Sequence, residues 1–296
     1  MVPVTLVGPR PTLRRWRWLG VLFSGLLLWV LSVIVTGLTG NLNLIPTVVL
    51  LGSFLVPTTA VVFYLDHDSS ATISSQRIFF AFVYGGVLGV LTASLLEVWL
   101  LQDGIFIYLG VGLIEELAKV LALVLVAWGI RHFTRLDGIV LGAAVGFGFA
   151  AFESSGYALN ALFTPHGLSL LSLVWTEVLR GVLAPVGHGL WTGILGGVLF
   201  EAAAARGRLR LTSKFVGAYL LVSLLHGLWD SMRGIAILLT LLLTSGPLAL
   251  NPFPRATDVA PALFLVFELG GMAVVSAVGL FMLRRSWRRA QLELAC

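Results

Sequence analysis

Apolar residues run through this chain in long stretches, interrupted by short clusters of charged residues, glycine and proline. Each stretch is long enough, at roughly 20 residues, to cross the hydrocarbon core of a bilayer as a helix. Divided at those clusters, the pattern predicts spans near 19–38, 44–65, 78–100, 104–129, 138–160, 176–204, 214–242 and 260–283. The expected fold class is therefore all-α, a polytopic transmembrane bundle of about eight spans. The whole chain, 1–296, is expected to be one such bundle, with a functional core at about 104–242.

Basic residues orient that bundle. Arg10, Arg14, Arg15 and Arg17 precede the first stretch, and Arg284, Arg285, Arg288 and Arg289 follow the last. Arg131 and Arg135 follow the fourth, and Arg206, Arg208, Arg210 and Lys214 the sixth. All of these fall on one side of an eight-span path, so both termini are expected in the cytoplasm. The first stretch lacks the small-residue end of a cleaved signal peptide and reads as a retained anchor.

Composition agrees with the pattern. The chain is 58% hydrophobic and 11% charged, with a mean hydropathy of +0.99, which places it among multi-pass membrane proteins, here expected in the plasma membrane. A net charge of +5 alone would point to nucleic acid, but the arginines sit beside apolar stretches, so no nucleic-acid partner is expected. The one cysteine, Cys296, excludes an intrachain disulfide.

Against this background a few residues stand out. Glu115, Glu116 and Lys119 lie in the fourth span, Glu153 in the fifth, His188 in the sixth, and His226 and Asp230 in the seventh. A charge near the centre of a transmembrane helix costs about 2.5–3.5 kcal/mol, so such residues need partners or a function. Counted from the inner helix ends at 1.5 Å per residue, Glu115, Glu153, His188 and His226 lie at roughly 21, 22, 24 and 18 Å, one common level. Glu115 with Lys119, and His226 with Asp230, are four residues apart and share a helix face. Gly146, Gly148 and Gly156 around Glu153, and Gly187 and Gly189 around His188, would let backbones approach closely.

Carboxylates and imidazoles at one depth suit a zinc ion or another divalent metal. Other readings stay open: a transporter or proton relay, since Glu, His and Asp chains also mark ion pathways, or a binding protein with a purely structural polar core. Glu177 and Arg180 read as an interfacial ion pair, and Glu97 and Glu201 as side chains near span ends that snorkel to water. His132 and His166 read as solvated loop residues.

Four motifs in order over about residues 104–235 resemble the PrsW family of intramembrane proteases, relatives of the CAAX-prenyl-protease and bacteriocin-processing group. They are Glu115-Glu116-x-x-Lys119, Phe149-x-x-x-Glu153, His188 within Gly187-His188-Gly189-Leu190-Trp191-Thr192, and His226-x-x-x-Asp230. The resemblance implies a zinc-dependent endopeptidase that uses a metal-activated water. Its substrate would be a single-span membrane protein, such as an anti-sigma factor, or a membrane-associated peptide. By the same resemblance Glu115 or Glu116 is the general base, Glu115 being preferred, and Lys119 holds their ionisation or stabilises the oxyanion. Glu153, His188 and His226 hold the metal, and Asp230 is a further ligand or orients the water.

Overall fold

Where the sequence predicts uninterrupted apolar spans, the computed structural model has helices. It describes residues 16–67, 73–245 and 256–295; Arg10, Arg14, Arg15 and Cys296 lie outside the described residues. The helices are α1 (Arg17–Thr39), α2 (Ile45–His67), α3 (Ser75–Leu100), α4 (Ile107–Val126), α5 (Arg135–Leu162), α6 (Leu170–Leu183), α7 (His188–Ala204), α8 (Ser213–Ser245) and α9 (Ala256–Ala295). A two-residue antiparallel hairpin, β1 (Phe163–Thr164) with β2 (Gly167–Leu168), joins α5 to α6.

Seven of these stretches are long and apolar enough to cross a membrane, α6 and α7 counting together. α4, of 20 residues, is not one of them, because it carries the three charged residues Glu115, Glu116 and Lys119. The chain is thus an all-α, multi-pass membrane protein.

Two boundaries differ from the sequence reading. The predicted sixth span is broken by a 3-10 turn at Ala184–Val186. Pro185 causes the break, since it has no N–H to donate and its ring collides with the preceding turn; Gly187 completes it with φ −104 and ψ −129. His188 consequently opens a new helix instead of lying inside one. The last helix, for its part, does not stop at 283 but runs on through the terminal arginines to Ala295.

The residues fall into two compact units. The first holds α1, α2, residues 154–162 of α5, the hairpin and α6. Its core packs Ile45, Val48 and Val49 of α2 against Ala158, Leu162 and Leu173, with Trp29 and Val33 of α1 beside them. Arg17 meets Asp66 at 2.7 Å. The expected interfacial pair of Glu177 and Arg180 is corrected here: Glu177 is buried and accepts a hydrogen bond from Trp29 Nε1 at 2.8 Å. Arg180 Nε donates to Ser154 Oγ at 2.7 Å, and its guanidinium lies 4.3 Å from the Tyr157 ring centre.

The second unit holds α3, α4, residues 135–153 of α5, α7, α8 and α9. Small residues let its helices meet closely: a Cβ at Gly112 of α4 would strike the Ser223 carbonyl of α8, and one at Gly146 of α5 would strike the His188 carbonyl of α7. Gly148 and Gly189 are equally crowded, whereas Gly156 has open space and Gly187 meets nothing nearer than 3.8 Å. At one end, Arg135 is buried between Glu201 at 2.7 Å and Glu293 at 2.8 Å, and Lys214 reaches Glu201 at 2.6 Å. These pairs link α5, α7, α8 and α9, so Arg135 and Glu201 are structural partners and not independent snorkelling charges.

Candidate metal and proton-transfer site

All seven residues singled out by the sequence lie in the second unit, and all seven are joined in one chain of contacts. α4 supplies three of them on a single face. Lys119 is fully buried, and its Nζ lies 2.8 Å from Glu116 Oε1 and 3.3 Å from Glu115 Oε2. The same ammonium lies 2.8 Å from Nδ1 of His188, the first residue of α7. On the other side of that ring, Nε2 lies 3.0 Å from Glu153 Oε2 of α5. His226 of α8 places Nδ1 3.0 Å from Glu116 Oε1, and Nε2 3.4 Å from Glu115 Oε2 and 3.3 Å from Asp230 Oδ2.

For His188 these contacts select one imidazole tautomer. An ionised carboxylate only accepts, and an ammonium only donates. His188 therefore carries its proton on Nε2, which donates to Glu153, and presents a lone pair on Nδ1 to Lys119. In His226 Nδ1 donates to Glu116, whereas Nε2 also faces carboxylate oxygens, from Glu115 and Asp230, and so either shares a proton with them or, in the neutral ring, offers a lone pair to a cation. Nδ1 of His188 and Nε2 of His226 both lie near Glu115 Oε2, the former 3.9 Å away. One donor atom from each of Glu115, His188 and His226 lies within 4.8 Å of the other two, and all three residues are buried.

A divalent cation fits this donor set. Nε2 of His226 faces two acceptor oxygens, from Glu115 and Asp230, and such a group of lone pairs is stable only around a cation or a shared proton. Each imidazole is also anchored from behind by a carboxylate, Glu153 for His188 and Glu116 for His226, which is the usual support of metal-binding histidines. Lys119 is the cation that now touches this group. Its contact with Glu116 is the shorter of its two carboxylate contacts, so Glu116 would keep its counter-ion if Glu115, His188 and His226 held a metal.

Aromatic rings wall the cluster. Phe149 lies under the Lys119 ammonium at 4.2 Å and 5.2 Å from the His188 ring. Trp191, fully buried one turn after His188, packs against His188 at 5.5 Å and His226 at 4.6 Å between ring centres. Such walls exclude water from the buried side; Glu153 and Asp230, with 17% and 28% of their side chains exposed, mark the open side.

Two contributors escaped the sequence reading. Trp191 was visible only as part of a motif, although its spacing of three from His188 puts it on the same helix face. Glu97 read as a snorkelling side chain, yet it lies close enough to interact electrostatically with Glu153, His226, Lys119 and Asp230. Its Oε1 is buried without a hydrogen-bond partner among the described residues. No sequence pattern links α3 to the four motifs, so only the packing reveals it.

A multi-pass helical protein with buried carboxylates and imidazoles gathered at one point has the form of an intramembrane hydrolase. The model of the PrsW family intramembrane metalloproteases matches residues 19–251, and the chain belongs to that family. It is therefore a member of a family of peptide hydrolases that depend on a divalent metal. No curated protein and no solved structure matches the chain.

Proposed function

We propose that the chain is a zinc-dependent endopeptidase of the plasma membrane that cleaves single-span or membrane-associated protein substrates, an anti-sigma factor being one such class. The observation that carries this reading is the convergence of Glu115, His188 and His226, three donors from three helices within 4.8 Å. Those three would hold the ion, and zinc suits a set of two imidazoles and a carboxylate. When bound, the ion would supply Lewis acidity to the attacking water and the scissile carbonyl.

The chain's own residues do the rest. Asp230, the most exposed carboxylate of the group, accepts the proton of the attacking water and returns it to the leaving amine. Glu153 and Glu116 hold the two imidazoles in their tautomers. Lys119 keeps Glu116 ionised and adds positive charge where the oxyanion develops. The residues of the functional core then run from Glu115 of α4 to Asp230 of α8, within 104–242, and the arginine clusters argue for both termini in the cytoplasm.

A second assignment is favoured by the position of Glu115 next to Lys119: Glu115 is the base, and the histidines hold the metal with Asp230. A single substitution separates the two. Purified Glu115→Gln that keeps its zinc and stops cleaving a single-span substrate supports Glu115 as base; loss of both supports it as a ligand. Undiminished cleavage by Glu115→Gln sinks both assignments. A proton relay built on the same residues would instead give metal-free protein that moves protons across sealed vesicles.

A further inference from the structure

Outside the metal site, one acidic residue in the first unit has no role in the chemistry above. Glu177 of α6 is 3% exposed. Its Oε2 is occupied by Trp29 Nε1, but its Oε1 is buried and has no hydrogen-bond partner among the described residues. The carboxyl lies against α2, where a Cβ on Gly52 would overlap it. Beside it is a cavity of about 140 Å³, lined by Leu26 of α1, Leu55 and Val56 of α2, and Val178, Gly181 and Val182 of α6.

The depth of this group limits what can satisfy it. At 1.5 Å per residue, Trp29 is roughly 15 Å from the end of α1, and Glu177 and Gly52 are each roughly 10 Å from the starts of their helices. That is inside the hydrocarbon layer, beyond the reach of lipid headgroups. A water molecule in the cavity would find the carboxyl but no second polar wall. The rim is open to lipid, since Val182 is 72% and Val178 39% exposed. The volume admits one extended side chain and excludes a helix. A donor at this depth must therefore hang from another membrane-spanning segment, and the complement of a carboxylate is a basic group.

We propose that the α1–α2–α6 groove receives a lysine or arginine side chain from the transmembrane helix of a partner protein, with Glu177 as its counter-ion. Gly181 keeps the groove open, its missing side chain leaving the nearest atom, Val56 Cγ2, at 3.7 Å from a hypothetical Cβ. The site stands on its own residues and holds whether or not the metal site is catalytic.

The test uses the full chain in lipid nanodiscs and three fluorescent polyleucine single-span peptides with Lys, Gln or Leu at the centre. The Lys peptide binds about tenfold or more tightly than the other two. Glu177→Gln, which keeps an acceptor for Trp29, abolishes that preference. Gly181→Leu, which fills the groove and leaves the carboxyl in place, weakens the Lys peptide alone, and thermal unfolding checks that both variants are folded. Equal binding of the three peptides to the unaltered protein overturns the proposal, as does a preference that survives in Glu177→Gln. A co-purifying lipid that Glu177→Gln loses, without any peptide preference, overturns it in favour of a lipid site.

Discussion

Glu115 and Glu116 both touch Lys119 and His226, but they meet opposite nitrogens of that ring and only Glu115 lies near His188, so their substitutions should separate. Glu116 is fully buried between Lys119 and His226. Glu116→Gln leaves a buried ammonium with half its counter-charge, which costs about 3–5 kcal/mol when a buried pair is broken. Thermal unfolding in detergent reads this as a large drop in melting temperature. Asp230, by contrast, is partly exposed and pairs with His226 alone among the contacts of the cluster. Asp230→Asn should leave the melting temperature and bound metal nearly unchanged and slow cleavage by about 10²–10⁴-fold, the usual share of a general base. A variant that cleaves at the normal rate would remove Asp230 from the chemistry. At this scale the sequence was informative because a charge inside an apolar stretch is expensive, and so each one is conspicuous. It could not say which oxygen faces which nitrogen. That depends on side-chain positions from α4, α5, α7 and α8 together, and it brought Glu115 to the imidazoles and set Glu153 behind His188.

Among the elements, the break between α6 and α7 decides where His188 points. Hydropathy runs straight through Ala184–Val186, which is why the spans read as one. The proline and the glycine nonetheless carried the signal. Pro185→Ala removes the ring and restores an N–H, so the two helices can merge and rotate His188 away from Lys119 and Glu153. Cleavage should then fall at least about tenfold, since a displacement near 1 Å can cost 10²-fold, while stability is kept. A rate equal to that of the parent would mean that the break does not orient His188. Gly146→Leu tests the same register from α5, because its side chain would have to displace the His188 carbonyl. Most helices were legible from apolar length alone, though not the break between α6 and α7 or the run of α9 past 283; the partners of each helix were not, since an all-round apolar helix gives no face to read.

For the molecule as a whole, two features follow from charge placement. The Arg135–Glu201–Glu293–Lys214 group ties the long α9 to the second unit. Glu293→Gln removes one arm of it. Because Glu293 is 48% exposed, the loss is small, about 1 kcal/mol or less and lower still in high salt; thermal scans at two salt concentrations read it. The membrane orientation is tested by single cysteines in a Cys296→Ser background. His132→Cys, in the exposed segment between α4 and α5, should react with a membrane-impermeant thiol reagent only from the cytoplasmic side, and His166→Cys in the hairpin only from the outside. The arginine clusters are what predict this orientation, whereas the division into two units left no mark in composition.

One ion shared by Glu115, His188 and His226 is the centre of the proposed chemistry. Metal analysis of the purified, cleaving protein beside its His188→Ala/His226→Ala variant addresses that directly. About one equivalent of zinc in the parent, absent from the folded double variant, is the expected result. A preparation that cleaves its substrate with no bound metal would contradict it.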